Sequence, residues 1–127
     1  MKKTKLFIID YNQKFIEDFK EEIEKEGELE VVGSCNDGNK AIEILDTVED
    51  IDILIVNLVL PNLDGLAILK HLSQETKQKF KKIIATSIFA TADIMNVLRE
   101  LNVVYFMMYP YSAKNILEVL NNYNPLN

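Results

Sequence analysis

The sequence predicts a doubly wound α/β domain, with one five-stranded parallel sheet flanked by five helices. Two observations carry this prediction. Short apolar runs alternate strictly with longer amphipathic stretches, the pattern of strand–helix–strand units covered on both faces. In addition, 127 residues that are 48% hydrophobic and 27% charged suit one folded domain whose core needs no disulfide or metal support.

Leu6 to Ile9 is the first strand, apolar on both faces. After Asp10-Tyr11-Asn12 the period changes, and Phe15, Ile16, Phe19 and Ile23 fall on one side of a helix that Gly27 is placed to stop. Leu29 to Cys35 is rich in valine and forms the second strand. Turn chemistry at Asn36-Asp37-Gly38 leads into a helix carrying Ala41, Ile42 and Leu45. Ile53 to Val56 is the most strand-like run, ending at Asn57 and a proline-and-glycine loop in which Asp64 caps a third helix with Leu66, Leu69 and Leu72 inward. Ile83 to Thr86 is the fourth strand, and Ile94, Val97, Leu98 and Leu101 stripe the fourth helix. Tyr105 to Met108 is the fifth strand. Ser112 caps a last helix with Ile116, Leu120 and Tyr123 on one face. The domain therefore spans 1–122, and 123–127 reads as a tail or the start of a linker.

Charge narrows the function. Fourteen basic against twenty acidic residues give a net charge of −6, which disfavours direct contact with nucleic acid or an anionic membrane. The longest apolar run, Val103 to Tyr109, is far too short to span a bilayer, and Asp10 interrupts the only apolar stretch near the start. One cysteine excludes an internal disulfide. The expectation is an acidic cytoplasmic domain. In a doubly wound sheet, ligand sites form at the carboxyl ends of the strands, which here carry Asp10, Asn57, Thr86 and Tyr109.

Those strand ends carry a resemblance. IIDYN, DILIVNLVLPNLDGLAIL, IIATS and VVYFMMYPY occur in the order and spacing of the receiver domain of two-component response regulators. The segments ELEVVGSCNDGNKAIEIL, NLDGLAIL and VYFMMYPYSAKNIL resemble in particular the receiver of the sporulation master regulator of endospore-forming bacteria. The resemblance spans nearly the whole chain and implies the flavodoxin-like receiver architecture. It also implies an aspartate nucleophile, two more acids that hold Mg²⁺, a Thr/Ser and a lysine.

Three of those five chemical positions are replaced. The phosphoacceptor position is Asn57, the second acid of the pair is Tyr11 beside the remaining Asp10, and the lysine position is Tyr109. A carboxamide forms no acyl phosphate, because its oxygen is a weak, uncharged nucleophile. Three carboxylates about 4 Å apart repel by roughly 4 kcal/mol per pair at an effective dielectric of about 20, which is what recruits a divalent cation. Asp10 alone supplies no such repulsion, so neither metal nor other cofactor is expected. The resemblance makes Thr86 and Phe106 the switch pair. Tyr11 and Tyr109 are placed to meet across the pocket.

The resulting expectation is a non-catalytic pseudo-receiver of a two-component or phosphorelay pathway, acting by protein–protein contact without aspartyl phosphorylation. Its partner is a signalling protein or a second copy, met through the fourth and fifth helices, with Met95, Met107, Met108 and Tyr111 as candidate interface residues. An alternative is the regulatory half of a sporulation-type DNA-binding regulator whose output domain lies outside this chain. A third is an active phosphoacceptor using another residue such as Ser87. His71 reads as solvated and Cys35 as an inert buried thiol.

Overall fold

The computed structural model describes residues 3–121. Within them lie the strands β1 (Thr4–Ile9), β2 (Leu29–Cys35), β3 (Ile53–Asn57), β4 (Lys82–Ser87) and β5 (Tyr105–Met108). They form one sheet in the order β2-β1-β3-β4-β5, with every neighbouring pair parallel. The helices are α1 (Gln13–Glu24), α2 (Gly38–Thr47), α3 (Gly65–His71), α4 (Gln74–Gln78), α5 (Ala92–Glu100) and α6 (Ala113–Leu120). The expected tail at 123–127, and Tyr123 on the last helix, lie outside the described residues.

One expectation needs correction: the described residues contain six helices, not five. Leu72 turns to extended backbone (φ −66°, ψ 128°) and ends α3. Ser73 then caps a new helical turn by accepting from the Thr76 amide at 3.1 Å. Apolar periodicity hides this helix, because its five residues, QETKQ, carry no apolar stripe.

Alternation along the strands sorts side chains into two cores. Leu6, Ile8, Ile53, Ile55, Ile84 and Met107 face α1 and α6, whereas Phe7, Ile9, Leu54, Val56, Ala85 and Phe106 face α2, α3 and α5. Asp10 and Asn57 continue the first set, which places them on the α1–α6 side of the carboxyl edge. At the outer edge the β1–β2 register slips between Leu6 and Phe7, so Phe7 pairs with Gly33 and Val32 is skipped. A Cβ on Gly33 would stand 2.8 Å from the Phe7 ring, so glycine is what leaves that ring its place there.

The caps match the turn chemistry of the sequence. Asn12 accepts from the Phe15 amide, Asp37 from Asn39 and Lys40, Asp64 from Ala67, and Ser112 from Asn115. A long-range contact adds to the last of these: Glu22 of α1 accepts from the Ala113 amide at 2.6 Å, placing a carboxylate at the amino terminus of α6.

Gly65 closes the loop that returns from β3 to α3. Its amide donates to the Leu58 carbonyl at 3.0 Å, and a Cβ there would collide with the Asn57 carbonyl oxygen and stand 2.7 Å from the Leu58 Cα. Both obstacles are backbone, so neither can rotate away. Gly65→Ala is expected to cost about 2 kcal/mol in urea denaturation despite alanine's better helix propensity. Unchanged stability would show that the loop has room to shift.

Candidate functional site

Four strand ends, those of β1, β3, β4 and β5, meet at a small polar centre on the carboxyl edge. Asp10 follows β1 and is fully buried, and Asn57 ends β3 at 2% exposure. The Asn57 amide nitrogen donates to Asp10 Oδ2 at 3.3 Å, and its Oδ1 accepts from the Val59 amide at 2.9 Å. These neighbours fix the orientation of the carboxamide, because only its NH₂ can face a carboxylate and only its oxygen can face an N–H. The other Asp10 oxygen accepts from the Asn12 amide at 3.0 Å. Both Asn57 functional atoms and both Asp10 oxygens are thus engaged within the protein.

Burial raises the Asp10 pKa above its usual 3.8, against the opposing pull of the Asn12 amide, the Asn57 carboxamide and the Tyr11 backbone. The two tyrosines come together beside this carboxylate. Tyr11 is half exposed, and its ring centroid stands 6.1 Å from that of Tyr109 at an interplanar angle of 40°. Burial, then the nearby Asp10 charge, push the Tyr109 phenol up to about 12. Tyr109 therefore stays a neutral phenol, and no cation stands where the family resemblance expects lysine.

Tyr109 begins a column of rings running down into the α1–α6 core. Phe15 lies 4.9 Å from both Tyr109 and Tyr111, and Phe19 lies 4.9 Å from Tyr111. Two expectations are corrected by this packing. Tyr111 and Met107, named as interface residues, are 4% exposed and belong to the core. Met95 is half-buried against the opposite core, and Met108 alone of the four is openly exposed, at 51%. Period-two alternation on β5 would have separated Met107 from Met108. It does not reach Tyr111, which lies beyond the strand after a cis Tyr109–Pro110 bond.

The proposed switch pair is also split. Thr86 is register partner to Asn57 and Met107 and follows Ile84 onto the α1–α6 face, while Phe106 is buried at 5% exposure in the core on the other face. Ser87 shares the face of Ala85 and Phe106. Its hydroxyl oxygen accepts from the Phe89 amide at 3.0 Å, and its carbonyl accepts from the Tyr109 amide at 2.9 Å. The hydroxyl facing the aromatic is therefore Ser87. Thr86 Oγ1 is buried with no hydrogen-bond partner among the described residues, as is the Tyr111 hydroxyl.

The donor set does not fit a divalent cation. Among the described residues no three His, Cys, Asp or Glu side chains come together as a metal cluster, and the one carboxylate at the centre is already bonded at both oxygens. Magnesium demands near-octahedral oxygen ligation, which one carboxylate and a committed carboxamide do not offer. Outside this centre, His71 is exposed on α3 and Cys35 is buried. No helix among the described residues is long and apolar enough to cross a membrane.

Comparison with known proteins bears on the fold. The sequence model of the response regulator receiver domain matches residues 6–121. Similar solved structures include the signal receiver domain of the putative response regulator NarL from Mycobacterium tuberculosis, with a TM-score of 0.80, 16% identity and 96% coverage of each chain. The Francisella response regulator 1452 receiver domain gives 0.77 and 19% identity, covering 94% of each chain. The CheX–CheY–BeF3–Mg²⁺ complex from Borrelia burgdorferi gives 0.78 and 16%, covering 94% of this chain and 87% of that one.

The raised Asp10 pKa sets the sign of a pH effect. A carboxyl whose folded value exceeds its unfolded value contributes most to stability below the unfolded value, and loses that contribution as pH rises through the folded one. The stability difference between the wild type and Asp10→Asn is therefore expected to move in the wild type's favour as pH falls from neutral toward 3.8, and to level off below it. Paired urea titrations across that range check this. A difference that moves the other way would mean that the hydrogen-bond donors outweigh burial.

Proposed function

The chain belongs to the response regulator receiver domain family, and on that premise we propose that it is a pseudo-receiver, a signalling module that works by protein contact without phosphorylation of its own. The observation that carries this reading is Asn57. At the end of β3, where the family resemblance expects the phosphoacceptor, both functional atoms of the side chain are spent on Asp10 and Val59. In phosphoryl transfer nearly all the catalysis is positioning and electrostatic stabilisation. The substitutions remove those components together: the nucleophile at Asn57, a metal ligand at Tyr11 and the cation at Tyr109. On this reading the domain is no enzyme.

The state such a module presents would be fixed by packing instead. Phe106 is already buried, the inward arrangement that the resemblance associates with the switched form, and Ser87 holds the β4–α5 loop above it. The contact surface of this reading is the face of α5, β5 and α6, where a cleft of about 460 Å³ is bordered by Met95, Met108 and Asn115. Within this reading the partner is a signalling protein of a two-component or phosphorelay pathway. The sporulation-type segments bear on which pathway it is.

Labelling by a small phosphodonor such as acetyl phosphate with Mg²⁺ tests the reading. Wild type and Asn57→Asp are both expected to stay unlabelled, and the triple change Asn57→Asp, Tyr11→Asp and Tyr109→Lys to be labelled. The single variant should also lose on the order of 2 kcal/mol, because it sets a second carboxylate against a fully buried one. Label on the wild type at Ser87, or a single variant labelled as readily as the triple, would sink the reading.

Millimolar Mg²⁺ is expected to leave the wild-type melting temperature unchanged, since ligand linkage gives nothing when an ion stays far below its Kd. A saturable rise specific to Mg²⁺ or Mn²⁺ would contradict this.

A further inference from the structure

Large exposed apolar side chains are not scattered over this molecule. Of the seven among the described residues, five gather at the carboxyl edge of the sheet: Tyr11 at 48%, Val59 at 52%, Ile88 at 54%, Phe89 at 58% and Met108 at 51% exposure. Tyr11 lies between β1 and α1, Val59 between β3 and α3, and Ile88 and Phe89 between β4 and α5, while Met108 ends β5. The strand order sets β1, β3, β4 and β5 side by side, so these loops are consecutive neighbours. They are also tied together. The Leu58 amide donates to the Thr86 carbonyl at 2.9 Å, the Tyr109 amide donates to the Ser87 carbonyl at 2.9 Å, and the Tyr11 and Tyr109 rings meet.

Area argues for what covers this edge. With about 200 Å² for a large side chain, five of them half exposed present on the order of 500 Å² of apolar surface. That matches the largest patch an ordinary monomer shows, and such patches are often functional. Two copies set face to face would remove about 1,000 Å² from water, the lower limit of a specific interface. Each copy carries a net charge of −6, so copies repel at most approaches. None of the five side chains is charged, and the carboxylate beneath them, Asp10, is fully buried. Carboxylates flank the edge at Asp37, Asp64 and Asp93, so what favours contact here is its apolar area.

We propose that the carboxyl edge is a self-association surface, at which two copies of the chain meet about a two-fold axis and each covers the other's Asp10–Asn57 centre. The contact is isologous, so Phe89 and Ile88 of one copy pack on the apolar loops of the second. It shares only Met108 with the α5–β5–α6 cleft and does not depend on the pseudo-receiver reading. A receiver that must admit a phosphodonor needs this edge open, whereas a chain with Asn57 at its centre can close it.

Sedimentation equilibrium from micromolar to millimolar chain tests the proposal. The expected result is a monomer–dimer equilibrium with a dissociation constant on the order of 100 μM, as befits a minimal interface, which persists at 1 M salt. Ile88→Asp combined with Phe89→Asp should raise that constant at least tenfold, while Met95→Glu on α5 leaves it unchanged. Far-UV circular dichroism checks that each variant is folded, and Val59→Lys repeats the test on a separate loop. A chain that stays monomeric at millimolar concentration overturns the proposal. So does a dimer dissolved by salt, one loosened by Met95→Glu, or one indifferent to both loop variants. Phosphodonor labelling reads the pseudo-receiver assignment separately, so either idea can fail alone.

Discussion

A carboxylate with no exposed surface must be met by donors, and the carboxyl edge of this sheet is organised around meeting the one at Asp10. Asn57 supplies one donor across the β1–β3 boundary and the Asn12 amide supplies another. Each donor then fixes a helix start. Asn12 goes on to cap α1, while the Val59 amide holds the Asn57 carboxamide at the head of the loop that Gly65 and Asp64 close into α3. A single hydrogen bond between adjacent strands thus couples two loops and two helix caps. An aspartate at 57 would add a second buried negative charge and withdraw a donor from the first.

The resulting centre holds one buried carboxylate and no basic side chain. Tyrosines replace an acid and a cation, and the Tyr109 ring continues downward through Phe15 and Tyr111 into the core beneath α1 and α6. Glu22 braces the same region from α1 to the start of α6. The pocket floor and one hydrophobic core are therefore one packed unit, which ties the geometry at Asp10 to how the two flanking helices sit.

Much of this was legible in the residues. Strands buried on both faces announce themselves as apolar runs, and Asn12, Asp37, Asp64 and Ser112 sit where helices start. The position of the site followed from topology, because parallel strands end on one edge. Three features were hidden, each for a physical reason. Helix α4 is short and polar, so no stripe marks it. Tyr111 looked like surface because an aromatic after Pro110 has no strand period to place it, and only the α1 rings show that it is core. The assignment of Thr86 rather than Ser87 as the hydroxyl facing Phe106 turned on a one-residue offset. In a strand one residue is the whole difference between faces, and only the register with β5 resolves it.

The aromatic column has an optical consequence. The chain contains five tyrosines and no tryptophan, so its near-ultraviolet absorbance and emission come chiefly from tyrosine. Three of the five, Tyr11, Tyr109 and Tyr111, stand in the column beside Asp10. Tyrosine emission is quenched by a nearby carboxylate, and transfer between neighbouring rings depolarises it. The protein thereby carries label-free chromophores at its own centre, beside the buried carboxyl, without any dye or engineered probe.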